Sequence, residues 1–197
     1  LWVIGGVSSG TPVISHYAAN GTPLSGTLTL PAGAVPADIT VTPSGQILVA
    51  DIGPSQQILV FTKDANGKPQ AAAPLGTRNG IFHVIKGVPG NGRFNGVTGI
   101  GVDPAGNLYV AQNGEGPRPI GSASVGQGAV LESYVSSSRT LNWRLYGLTF
   151  LDSAAFDPAN PGSVYTGSKR FTLDYSQPPG REWSYAGFTL NRFDYPD

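Results

Sequence analysis

The sequence predicts an all-β protein assembled from repeated antiparallel sheets. Three observations carry that prediction. Helix-breaking residues are abundant, with 28 Gly and 17 Pro in 197 residues. Apolar and polar residues alternate over short runs, the period-two pattern of half-buried strands. One strand–turn–strand pattern also recurs. Ile39, Val41, Pro43, Gly45, Ile47 and Val49 fall on Ile100, Val102, Pro104, Gly106, Leu108 and Val110 at a constant offset of 61 positions, without a gap.

Each unit follows the same logic. An alternating strand runs into a turn where Pro fixes φ and Gly accepts positive φ, so the chain reverses there. A second alternating strand, a variable loop and a third strand follow. The third strands are expected at 58–61, 130–134 and 171–175. A third copy matches Asp157–Pro158 to Asp103–Pro104, and Val164 to Leu108 after a two-residue insertion. A partial copy opens the chain: residues 1–21 resemble 47–67 and lack the strand that should precede them. Asn66–Gly67 and Asn20–Gly21 predict type I′ hairpin turns.

A unit of three or four antiparallel strands recurring about every 45–60 residues is the pattern of a β-propeller blade. A sandwich also has short strands between turns, but the gap-free offset favours the propeller. The expected division is a partial blade at 1–36, blades at 37–97 and 98–151, and a blade plus the start of another at 152–197. That makes three to four blades in all.

The stretch "GNGRFNGVTGIGVDPAGNLYVAQNG" (90–114) resembles an NHL repeat, in which Gly-x-Phe leads into a Gly-Ile/Val-x-Val-Asp strand, a Gly-Asn turn and a Tyr-Val-Ala-Asp strand. It departs at Gln112, where that family usually has Asp. The copy at 37–61 keeps Val49, Ala50 and Asp51 but has Thr42 in place of the turn Asp. The resemblance is strong over 37–134 and loose elsewhere, and the tail resembles a segment of bacterial exported NHL-type proteins. It implies a six-bladed propeller of the gluconolactonase/NHL-like group. At about 45 residues per blade, this chain cannot make six. The expectation is part of a larger ring, or an arc that closes on a second copy or another chain, since an open arc exposes strand edges and apolar faces.

Composition narrows the function classes. Charged residues are 12% and the formal net charge is zero. That leaves no clustered Lys and Arg for a nucleic-acid footprint. No apolar run approaches the roughly 18 residues of a membrane span. Cys is absent, which removes disulfides and thiolate metal sites. Met is absent too, including at position 1, so a processed or partial chain is expected. Few charges with much Gly, Ser, Thr, Asn and Pro suit an extracytoplasmic protein: secreted, periplasmic or at the cell surface.

Candidate sites are few. Inner strands of a propeller start around the central channel, which places Asp38 and Asp152 at its mouth. With carbonyls or Asn95 they would suit Ca²⁺, a hard cation that takes six to eight oxygens. The structural alternative is that these carboxylates cap strand ends. Asp103 and Asp157 read as turn residues, and Asp64 as part of a hairpin turn. His16 reads as a third-strand residue and His83 as part of a short apolar strand, "GIFHVIKG". Two His cannot supply the three or four protein ligands of a zinc site. No G-x-S-x-G elbow is present. In the aromatic tail, Trp143, Tyr146 and Trp183 with Arg144 and Arg181 could form a platform for a sugar or peptide; the alternative is inter-blade core.

Three functions follow as expectations. The first is a non-catalytic scaffold that binds a protein or glycan. The second is a Ca²⁺-dependent enzyme of the gluconolactonase or lyase kind. The third is a structural surface or filament subunit that self-associates.

Overall fold

The computed structural model describes residues 1–6, 12–84, 90–113, 129–146, 154–157, 159–166, 169–178 and 181–188. Among them the fold is all-β, with three four-stranded antiparallel sheets and one two-stranded sheet. The partial first unit pairs β1 (Trp2–Gly5) with β2 (Val13–His16). Isolated bridges from Ile14 to Leu28 and from Tyr17 to Pro23 extend it outward. The next blade runs β3 (Pro36–Val41), β4 (Ile47–Asp51), β5 (Gln57–Lys63), β6 (Pro69–Leu75). Another holds β7 (Val97–Val102), β8 (Leu108–Gln112), β9 (Val130–Tyr134) and β10 (Leu141–Tyr146). The last holds β11 (Ala155–Asp157), β12 (Asn160–Thr166), β13 (Lys169–Leu173) and β14 (Trp183–Phe188).

In each blade the strands pair in chain order. The inner strands of successive units adjoin: β1 meets β3, β3 meets β7, and β7 meets β11. This is the arrangement of propeller blades around an axis. Gly101 on β7 permits the close approach of the last blade, because a Cβ there would lie 2.1 Å from the Ala154 carbonyl oxygen.

The offset of 61 holds in three dimensions. The β3–β4 register is interrupted between Pro36 and Asp38, and the β7–β8 register between Val97 and Gly99. The third strands place an aromatic at one register position in every complete blade. Phe61 pairs with Ile47, Tyr134 with Leu108 and Phe171 with Val164. Side chains on alternate faces then form separate cores in the seams. Leu48, Ala50, Ile58 and Val60 face Phe94, Val110 and Tyr134. Ile47, Val49, Leu59 and Phe61 face Ile14, Leu28 and Ala34.

Three local expectations are corrected. The third strand of the last blade ends at Leu173 instead of running to Tyr175. The Asp174 carboxylate accepts from the Ser176 N–H and the Gln177 amide and turns the chain there. Of the strand expected at 80–87, the described residues 80–84 hold a short 3-10 turn, Gly80–Phe82, and no strand, and 85–87 lie outside the described residues. The Arg93 guanidinium donates to the carbonyls of Gly80, Ile81 and His83, which satisfies them without a sheet. Neither Asn-Gly turn is type I′. Only Gly21 and Gly67 have positive φ, whereas that turn needs it at both central residues.

Candidate functional site

The inner rim comes first, because the metal expectation rests on it. Asp38 sits on β3. One carboxylate oxygen accepts the Ile39 N–H and the other accepts the Ile100 N–H on β7, both at 2.8 Å. The side chain thus ties the inner strands of two blades. Burial pushes its pKa up, and the two N–H bonds oppose that. Asp152 lies outside the described residues. Asn95 is buried, and its N–H donates to Gln112 Oε1 at 2.9 Å. Among the described residues, no group of three or more His, Cys, Asp and Glu is placed to hold a metal.

The expected aromatic platform is dispersed. Trp143 is 4% exposed and lies edge-on to Tyr109 at 5.8 Å, in the core between the last two blades. Trp183 is half-buried and edge-on to Phe171 at 6.0 Å in the same core. Arg144 follows Trp143 on β10 and points to the opposite face, as period two requires. Arg181 is exposed, and its N–H donates to the Pro178 carbonyl. Tyr146 ends β10, and its side chain lies outside the described residues.

The composition gave no sign of the ionic cluster that Arg144 joins. Glu132, in the middle of β9, is 2% exposed. Its Oε1 accepts from Arg144 Nε at 2.5 Å in an ion pair. Its Oε2 accepts from Gln112 Nε2 at 2.8 Å and the Tyr134 hydroxyl at 2.7 Å. The hydroxyl in turn accepts the Gly92 N–H at 3.0 Å, and Arg144 donates to the Gly90 carbonyl at 3.2 Å. Burial beside the Glu132 charge raises the Tyr134 pKa and keeps that phenol protonated. The cluster pins residues 90–95 over the seam. A charged residue inside the apolar run "VLESY" was the available signal, because a carboxylate at a core position requires a partner.

The opposite seam, between the first unit and the next blade, is open. A cleft of about 290 Å³ lies there, lined by residues 31–34, by Leu59 and Phe61 on β5, by Ala71, Ala72 and Pro74 around β6, and by Arg78 and Asn79. Its floor is apolar. Asp51 also lines it, but one oxygen accepts the N–H groups of Val35 and Gly53, each at 2.8 Å, and the other accepts the Ser55 hydroxyl.

No family model matches this chain, and no curated protein matches it. Solved structures do. A functionally unknown protein from Desulfotomaculum acetoxidans DSM 771 aligns at a TM-score of 0.54 and 12% identity, over 90% of this chain and 49% of that one. The Dos1 propeller aligns at 0.44 and 10% identity, over 91% of this chain and 54% of that one. The Neurospora crassa Pan2 WD40 domain aligns at 0.42 and 11%, over 90% and 60%. The chain therefore spans about half the length of the structures it resembles. At 12% identity the first of these likenesses concerns the fold alone.

Proposed function

We propose that this chain is a non-catalytic, NHL-type propeller segment that serves as an extracytoplasmic binding scaffold for a protein or glycan. The observation that carries this reading is how five ionisable groups at the strand ends and seams are used. Asp38 bridges two inner strands, Asp51 and Asp103 cap strand ends, and Glu132 with Arg144 closes a seam. Each acts on the chain's own backbone or neighbours, so binding falls to the loops and to the open seam. Few charges with much Gly, Ser, Thr, Asn and Pro support the compartment.

The test combines turnover and binding on the purified chain. Lactones and sugar derivatives are assayed with and without millimolar Ca²⁺, beside Asp38→Ala. The same protein is screened against glycan and peptide arrays. Binding without turnover is expected. Turnover that requires Ca²⁺ and disappears in Asp38→Ala would overturn the scaffold in favour of a lactonase- or lyase-like enzyme.

A further inference from the structure

The two seams that flank the blade Pro36–Leu75 are built on one frame and filled differently. Val35 and Gly96 are equivalent in space. Their carbonyls accept the N–H just past the second strand, from Ile52 and from Asn113, each at 2.9 Å. Above that bond the two segments slip by one residue: the Val35 N–H meets Asp51 as the Asn95 N–H meets Gln112, so Phe94 corresponds to Ala34, which shares a core with Phe61 as Phe94 does with Tyr134. Phe94 is fully buried and edge-on to Tyr134 at 5.8 Å. Tyr134 pairs with Leu141 on the outer strand, and Phe61 pairs with Ala71 in the same way. The seam that Phe94, Tyr134 and Leu141 close thus has Ala34, Phe61 and Ala71 as its counterparts. One phenyl ring and one isopropyl group are missing, and the cleft, which Ala34 and Ala71 line, lies there.

Its electrostatics are equally specific. The Asp51 carboxylate is committed to two backbone N–H groups and a hydroxyl. Arg78, the other charged residue lining the cleft, is exposed and makes no hydrogen bond or ion pair among the described residues. An Arg fork with open donors favours a carboxylate. A volume near 290 Å³ sits just below the ~300–1,000 Å³ typical of ligand pockets, which suits one ring.

We propose that this cleft binds a small carboxylate that carries a single aromatic ring. The ring takes the place that Phe94 holds in the next seam, and the carboxylate meets Arg78. The chemistry fits both a free aromatic acid and the C-terminal aromatic residue of a partner chain. The inference stands on the paired seams and not on the scaffold reading, so either can fail alone.

The experiment is isothermal titration of the full chain with N-acetylphenylalanine, its amide, N-acetylalanine and a hexapeptide ending in Phe. The variants are Arg78→Gln and Ala71→Phe, the second filling the cleft from an exposed position. Saturable binding of N-acetylphenylalanine is expected. It should weaken at least tenfold for the amide, for N-acetylalanine and in Arg78→Gln, and vanish in Ala71→Phe with the melting temperature kept. A peptide that binds tenfold tighter assigns a partner's C-terminus and equal affinity a free acid; both uphold the cleft. No heat at about 10 mM ligand, weaker than any useful affinity, would overturn it, as would equal affinity for acid and amide or undiminished binding in both variants.

Discussion

The blade Pro36–Leu75 and the blade Val97–Tyr146 share a backbone and differ in the side chains that tie it. At the first turn, Thr42 Oγ1 accepts the Gln46 N–H at 3.0 Å. In the next blade Asp103 accepts the Asn107 N–H at 2.8 Å and the Asn107 amide at 2.9 Å. At the end of the second strand, Asp51 accepts the Val35 N–H and Gln112 accepts the Asn95 N–H. The longer Gln112 side chain also reaches on to Glu132. Glu132 itself stands where the earlier blade has Leu59, since each pairs with the corresponding residue of the second strand, Val110 or Val49. The comparison teaches that a repeat position is defined by the backbone donor it must satisfy. Residue types exchange freely there. Replacing an apolar seam residue by a carboxylate is different, because Arg144, Gln112 and Tyr134 must all be present to meet it.

The largest expected effect comes from making the closed seam resemble the open one. Phe94→Ala should cost about 3–5 kcal/mol, the range for truncating a buried Phe, read as a fall in the denaturation midpoint. A cost below about 1 kcal/mol would mean that Phe94 does not hold the seam. Glu132→Leu copies the residue of the earlier blade and leaves Arg144 without its carboxylate. Breaking a buried pair costs about 3–5 kcal/mol, and partial exposure of Arg144 places the expectation at the low end. Glu132→Leu with Arg144→Leu should recover most of that loss. If the double variant is no better than the single one, the pair is not the unit that matters.

Asp38 tests the rim at smaller amplitude. Its folded pKa is raised, so the protonated form is favoured in the folded state. Its contribution to stability is complete below the ordinary carboxylate pKa and declines as pH rises through the raised value. Asp38→Asn should remove that decline from the stability–pH curve. An unchanged curve would place the titration elsewhere. The smallest effect concerns Arg139, which adopts φ 56° in the turn between β9 and β10, where the earlier hairpin has Gly67 at φ 77°. The left-handed conformation costs a non-Gly residue about 1–2 kcal/mol. The Arg139 bond to Gln46 Oε1 at 2.8 Å across the seam offsets part of it. Arg139→Gly should therefore change stability by less than about 1 kcal/mol, and a large loss would show that the bridge between the turns dominates.

Much of this frame was legible in the sequence. Alternation placed β3, β4, β7 and β8, and the constant offset predicted that their registers would match; the shared interruptions after Pro36 and Val97 emerge only in the structure. The aromatic positions Phe61 and Tyr134 also fell on predicted third strands. The seams were not legible. Period two assigns a side chain to a face but does not say what covers that face. That depends on the residues of the connection entering each blade. The open cleft arises because Ala34 takes the position of Phe94, a difference that falls outside the alternating runs. The dispersal of Trp143 and Arg144 has the same origin: adjacent residues of a strand serve opposite seams, however close they look in sequence.

The most direct test of unequal seams uses the fact that the chain has no Cys. Ala71→Cys places a thiol in the open seam, and Leu141→Cys places one at the equivalent position of the closed seam. Labelling of each by a maleimide is followed under native conditions. The thiol at position 71 should react at least tenfold faster, and both should react alike in denaturant. Equal native rates would contradict the account, because the two seams would then be filled to the same degree.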